Sequence, residues 1–212
     1  MKQKVMPILS IIVLFSMLAN IYAQKPEEEA FNKGLEYHNK QMYDEAIGEY
    51  SKAIKIDPKS AGAYYNRGNA YRDKGDFDRA ILDYNKAEEL DPRDAKSDLS
   101  RGYAYGEKSY FERAISDYNK AIKINPKYEL AYNNLGDIYI QKRDFDRAII
   151  VLSKGIKINP DFALTYFTRA DAYMSNKQYD EAWLDIHKAE KLGFGVPPEF
   201  IATLKEASGR EK

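Results

Sequence analysis

The chain has 212 residues, with 33 basic and 33 acidic side chains and a formal net charge of zero. That balance gives no support to a nucleic-acid or acidic-membrane partner, either of which would favour a basic face. Cysteine is absent, which excludes thiol chemistry, disulfides and lipid attachment through an N-terminal cysteine.

The first segment stands apart from the rest. Met1-Lys2-Gln3-Lys4 is positive, Val5 to Leu18 is strongly apolar, and Ala19-Asn20-Ile21-Tyr22-Ala23 ends on a small residue. This resembles a bacterial secretory signal peptide over residues 1–23, cut after Ala23, and implies export to the periplasm or the medium with no membrane contact after cleavage. An uncleaved anchor from Val5 to Tyr22 is the rival reading, weakened by Pro7, Ser10, Ser16 and Asn20. Residues 24–26 form a short tail.

From there the sequence repeats. Pro58, Pro92, Pro126 and Pro160 lie 34 residues apart and divide the chain into units 27–60, 61–94, 95–128, 129–162 and 163–196, the last with Phe194 in the proline's place. A unit of that size cannot bury a core alone, so the fold is an array of stacked units. Position 8 of the units reads Gly34, Gly68, Gly102, Gly136 and Ala170; position 20 is always alanine; position 27 is alanine or glycine. Position 11 is always tyrosine and position 17 always tyrosine or phenylalanine. Small residues let paired helices approach, and large ones at 11, 17 and 24 fill the space beside them. Most of the 18 tyrosines are therefore packing residues. In the second unit, Ser60 is placed to cap a helix from Ala61, Gly75 and Asp76 to make the turn, and Asp91-Pro92 to stop the second helix near Glu89.

Tyr64-Tyr65-Asn66-Arg67-Gly68-Asn69-Ala70-Tyr71, Phe77-Asp78-Arg79-Ala80 and Asp91-Pro92 resemble tetratricopeptide repeats, and the likeness runs from residue 27 to about residue 194. The resemblance implies an all-α fold: a right-handed α-solenoid of five 34-residue helix-turn-helix repeats. Residues 197–207 read as a capping helix, with Pro198 in its first turn and Phe200, Ile201 and Leu204 on one side; residues 208–212 are expected to fray.

Position 7 is Lys33, Arg67, Arg101, Leu135 and Arg169, and position 23 is Glu49, Asp83, Asp117, Val151 and Asp185. Opposite charges match within units, so Lys33–Glu49, Arg67–Asp83, Arg101–Asp117 and Arg169–Asp185 are expected as structural ion pairs between the two helices of one repeat.

In this family the first helix of each repeat lines an inner groove, where packing constrains the sequence least. Position 6 reads Asn32, Asn66, Ser100, Asn134 and Thr168. It resembles in part the asparagine ladder of O-linked N-acetylglucosamine transferases, in which amides hold the backbone of an extended peptide. Position 5 adds Phe31, Tyr65, Leu99, Asn133 and Phe167, and position 9 adds Tyr103, so that aromatic rings stand beside polar clamps. Arg72 and Lys96 make one end of the groove basic, while Asp137 and Asp171 make the other acidic; Asn69 completes the candidate lining. The carboxylate clamp of chaperone-tail-binding members is absent, since only Asn66 and Lys96 fit it.

His38 and His187 lie far apart without metal-ligand spacing, and no phosphate-cradling glycine motif occurs. The expectation is a non-enzymatic scaffold with no metal or cofactor, whose groove binds a peptide or protein segment. The alternative is a structural, assembly or accessory subunit of an envelope complex that uses the outer face or the ends.

Overall fold

A computed structural model describes residues 25–210. The leader assigned to residues 1–23, and with it the question of cleavage or anchoring, lies outside the described residues. Within them the chain is all helix and turn: α1 Pro26–Asn39, α2 Tyr43–Ile56, α3 Ala61–Asp73, α4 Phe77–Leu90, α5 Ala95–Glu107, α6 Phe111–Ile124, α7 Glu129–Gln141, α8 Phe145–Ile158, α9 Ala163–Ser175, α10 Tyr179–Lys191 and α11 Pro198–Ser208. No described helix is long and apolar enough to cross a membrane.

Consecutive helices pair into five helical hairpins, α1–α2 to α9–α10, and each hairpin packs on the next. The first helices of neighbouring repeats (A helices) also touch one another, whereas successive second helices (B helices) stay further apart. The stack therefore curves with its A helices on the inside.

The local chemistry follows the residues. The Ser60 and Asp76 side chains cap α3 and α4, accepting from the backbone amides of Ala63 and Arg79. Pro26 is already helical, at the first turn of α1 where a missing N–H costs nothing. Each hairpin turn carries a left-handed residue at position 15: Gln41, Gly75, Ser109, Arg143 and Lys177, with φ between 59° and 85°. Only the second repeat places glycine there.

The core is a line of interlocked pairs. Tyr50, Tyr84, Tyr118, Leu152 and Ile186 at position 24 are all buried, each worth about 1.5–3 kcal/mol in removal from water. They press against position 8 of the same repeat, where a Cβ on Gly68 or Gly102 would stand 2.8 Å from the facing tyrosine. The fifth repeat has Ala170 there and the smaller Ile186 opposite, both fully buried in one cluster. Between the tyrosine repeats and the fifth, volume is conserved across the pair rather than at either position, while the fourth pairs Gly136 with the smaller Leu152.

At the C-terminal end Gly193 (φ 87°) ends α10 without the Asx-Pro stop of the other repeats. Phe194 instead stacks on Phe167 at 4.9 Å, and Phe200 of α11 packs on the same ring at 5.0 Å. Leu204 is fully buried against repeat five. Of the tail expected to fray, residues 208–210 are described. Ser208 accepts from the Trp183 indole N–H at 3.2 Å, and Arg210 pairs with Asp180 at 2.6 Å.

Candidate functional site

Three arginines cross-link the repeats. Arg67 donates through Nε and Nη2 to both oxygens of Asp83, each at 2.7 Å. Arg101 does the same to Asp117 at 2.8 and 2.7 Å, and Arg169 to Asp185 at 2.7 and 2.8 Å. In each case Nη1 reaches back to the preceding B helix: Arg67 to Ser51 at 3.0 Å, Arg101 to Asn85 at 2.7 Å, Arg169 to Ser153 at 2.9 Å. These arginines are spent inside the stack and offer no cation to a ligand. Burial pushes the Asp185 carboxyl above its ordinary range, against the lowering by Arg169.

The pair expected between Lys33 and Glu49 does not form. Lys33 bonds Glu29 one turn earlier at 2.7 Å, and Glu49 bonds Lys52 at 2.6 Å. Lys33 is more than half exposed, with no preceding repeat described to enclose it, so neighbours on the same helix win over a partner across the hairpin.

In repeat three the network extends further than the sequence suggested. Asp98 is fully buried and accepts from Arg101 at 3.0 Å and Lys120 at 3.1 Å, while Glu88 bonds both cations. Burial raises the Asp98 carboxyl. Its signal was visible: position 4 is tyrosine in repeats two, four and five, and aspartate here.

The A-helix side carries a run of depressions. One of about 460 Å³ is lined by Arg72, Asp73, Phe77, Leu99, Ser100, Tyr103, Leu130 and Asn134. It shares Tyr103 and Asn134 with a second, of about 250 Å³, that includes Glu107, Asn133, Asp137, Gln141, Leu164, Phe167 and Thr168. Together they run from α3 to α9. Toward the N-terminus, Tyr65, Asn66 and Lys96 line a depression of about 400 Å³, and Asn32 with Phe31 lines one of about 410 Å³. Tyr103 is 42% exposed and presents its ring to both depressions.

Several candidates stand differently from expectation. Ser100 and Thr168 are buried; Thr168 donates back to the Leu164 carbonyl at 3.0 Å, the ordinary fate of a mid-helix threonine hydroxyl. Asn69 is buried and accepts from Tyr84 Oη at 2.8 Å, so it belongs to the core. Asn66 donates to the Gly62 carbonyl of its own helix at 2.8 Å. Asn32 and Asn134 remain the better-placed amides, and the ladder is broken. Phe167 touches the groove but is held by Phe194 and Phe200.

The expected basic end is also compensated. Arg72 donates to Asp73 at 2.8 Å, whose other oxygen lies 2.8 Å from His38 Nε2. Lys96 lines its depression beside Asp91 and Asp94. At the acidic end no cation intervenes, and the neutral Gln141 amide donates to Asp137 at 2.7 Å. Asp137 and Asp171 make no ion pair among the described residues, and loss of water inside the curve raises both carboxyls, Asp171 further by the charge of Asp137. No group of side chains suited to a metal ion occurs among the described residues.

Comparison with known proteins agrees with this architecture. Tetratricopeptide repeat models match residues 61–94 and 130–162, and a further TPR repeat model matches 34–71 and 102–142. No curated protein matches the chain. Among solved structures, MamA is 31% identical, with a TM-score of 0.68 over 76% of this chain and 94% of its own. PilW, a type IV pilus biogenesis factor, is 20% identical with a TM-score of 0.78 over 89% of each chain. YrrB, a TPR protein with an unusual peptide-binding site, is 18% identical with a TM-score of 0.65 over 91% of this chain and 96% of its own. Repeat models, hairpin stacking and these likenesses agree, and the chain belongs to the tetratricopeptide repeat family.

Proposed function

We propose that this protein is an exported, non-catalytic scaffold that holds an extended peptide or protein segment along its A-helix groove. Export rests on the leader at residues 1–23. The groove reading is carried by one observation: the two adjoining depressions that share exposed Tyr103 and half-buried Asn134 and together span four repeats. An aromatic ring beside an amide supplies what an extended segment needs, apolar contact and a donor–acceptor pair for its backbone. YrrB, with its peptide-binding site, has the same fold.

The test is selection from a random displayed peptide library. Wild-type protein is expected to enrich peptides whose affinity falls about ten-fold in Tyr103→Ala or Asn134→Ala, with the thermal midpoint little changed. Peptides indifferent to both substitutions contradict groove binding.

A second reading places the contacts on the outer face. Leu82, Ile150 and Leu184, all at position 22 of B helices, are 66%, 55% and 69% exposed. Under that reading Leu82→Ser and Leu184→Ser abolish partner binding, and the groove variants do not.

A further inference from the structure

Resting on the groove reading, we propose that the depression between α5, α7 and α9 seats a lysine or arginine side chain of the bound segment, so that the scaffold selects positively charged ligands.

Glu107 and Asp137 line this depression, and its lining contains no lysine or arginine. Asp171, on the next A helix, faces Asp137 closely enough for the two charges to repel. None of the three carboxylates makes an ion pair among the described residues. At the hairpin rim Asp44, Asp78 and Glu112 are each bonded to a lysine of the following repeat. Glu107, Asp137 and Asp171 in the groove have no such lysine, and Asp137 accepts only the neutral Gln141 amide, at 2.7 Å.

Asn133 supplies a second, independent sign. It lines the same depression, is only 6% exposed, and its Oδ1 is buried with no hydrogen-bond partner. A buried acceptor left in that state is unfavourable, and the missing partner must be a donor. Ammonium and guanidinium groups are donors without acceptors and carry the charge the carboxylates lack. The walls suit the rest of such a side chain. Leu164 and Ile138 offer apolar surface to an aliphatic stem, and Tyr103 an aromatic face to a cation. Tyr103 already has the Arg72 guanidinium 6.0 Å from its ring centre, on the side of the adjoining depression. A neutral apolar side chain in this place would leave the carboxylates without a counter-charge, and an acidic one would be repelled.

The experiment compares peptides selected from the random library by wild-type protein and by the Asp137→Asn/Asp171→Asn variant. Wild-type selection is expected to enrich lysine or arginine at one register. The enriched peptides should bind the double variant about ten-fold more weakly, lose affinity as salt is added, and lose it again when that lysine is replaced by norleucine. The double variant should melt no lower than wild type, because it removes charge the fold does not compensate. Asp137→Lys should shift the selection toward aspartate and glutamate, a gain that misfolding cannot produce. Peptides that depend on Tyr103 and Asn134 but show no excess of basic residues, or bind the double variant undiminished, overturn the basic-side-chain pocket and leave groove binding standing. A selection that yields no peptide dependent on Tyr103 or Asn134 overturns both.

Discussion

Arg67, Arg101 and Arg169 show how one side chain ties two repeats together. The planar fork grips an aspartate across its own hairpin, and the remaining nitrogen reaches Ser51, Asn85 or Ser153 on the helix before. Repeat four dispenses with the device: Leu135 and Val151 replace the ions and pack in one cluster. Asn119, which stands where Asn85 and Ser153 stand, turns its amide back to the Ile115 carbonyl at 2.8 Å. Nature's own swap sets up a prediction. Arg67→Leu alone strands Asp83, whose side chain is 8% exposed, and should cost about 3 kcal/mol. Adding Asp83→Val should bring the protein within about 1 kcal/mol of wild type, as replacing both ions by packed apolar groups usually does. Ser51 would not be orphaned, since its hydroxyl already donates to the Ile47 carbonyl. Urea denaturation of the three proteins measures both steps. A double variant as unstable as the single one would show that the ions do more than satisfy each other.

At the scale of the helical hairpin, the turn holds an avoidable strain. Gln41, Ser109, Arg143 and Lys177 sit at positive φ, where a side chain crowds its own backbone, and only Gly75 suits the position. Arg143 and Lys177 are exposed. Each replacement by glycine should stabilise by about 0.5–1 kcal/mol, and the Arg143→Gly/Lys177→Gly protein should melt about 2–8 °C higher by calorimetry. A lower midpoint would contradict the assignment of strain. The hairpin is also where the sequence was most legible. Packing positions 8, 11, 17 and 24 state their roles through residue size alone, and the Arg–Asp pairs through matched charge. Lys33 misled because charge complementarity across a hairpin counts only where burial removes nearer partners, and Lys33 is open to solvent. The rim ladder went unread for the opposite reason. Asp44–Lys74, Asp78–Lys108 and Glu112–Lys142, continued by Asp146–Asn176 and Asp180–Arg210, join residues 30 apart. That spacing cuts across the 34-residue unit, so alignment of units hides it.

Across the whole molecule, the period gives the stack and the residues that break it give the ends and the groove. Arg210 takes the place on the last rim contact that a sixth repeat would have filled, so α11 and its tail close the array electrostatically as well as by packing. The groove was only half legible. Position 6 was visible as polar, yet whether an amide faces a ligand or its own helix depends on backbone carbonyls within reach, as Asn66 and Thr168 show. The charge of the groove was half legible for a similar reason. Arg72 and Lys96 lose their effect to nearby carboxylates, while Asp137 and Asp171 keep theirs. What singled out the acidic half was three-dimensional: the absence of cations from its walls and the unpartnered Asn133 oxygen beneath it. The central claim is that ligand lies along the A helices, and hydrogen–deuterium exchange with a library-selected peptide tests it most directly. Binding should protect amides of α5, α7 and α9 and leave the outer B helices α4, α8 and α10 unchanged; protection confined to α4, α8 and α10 would contradict it.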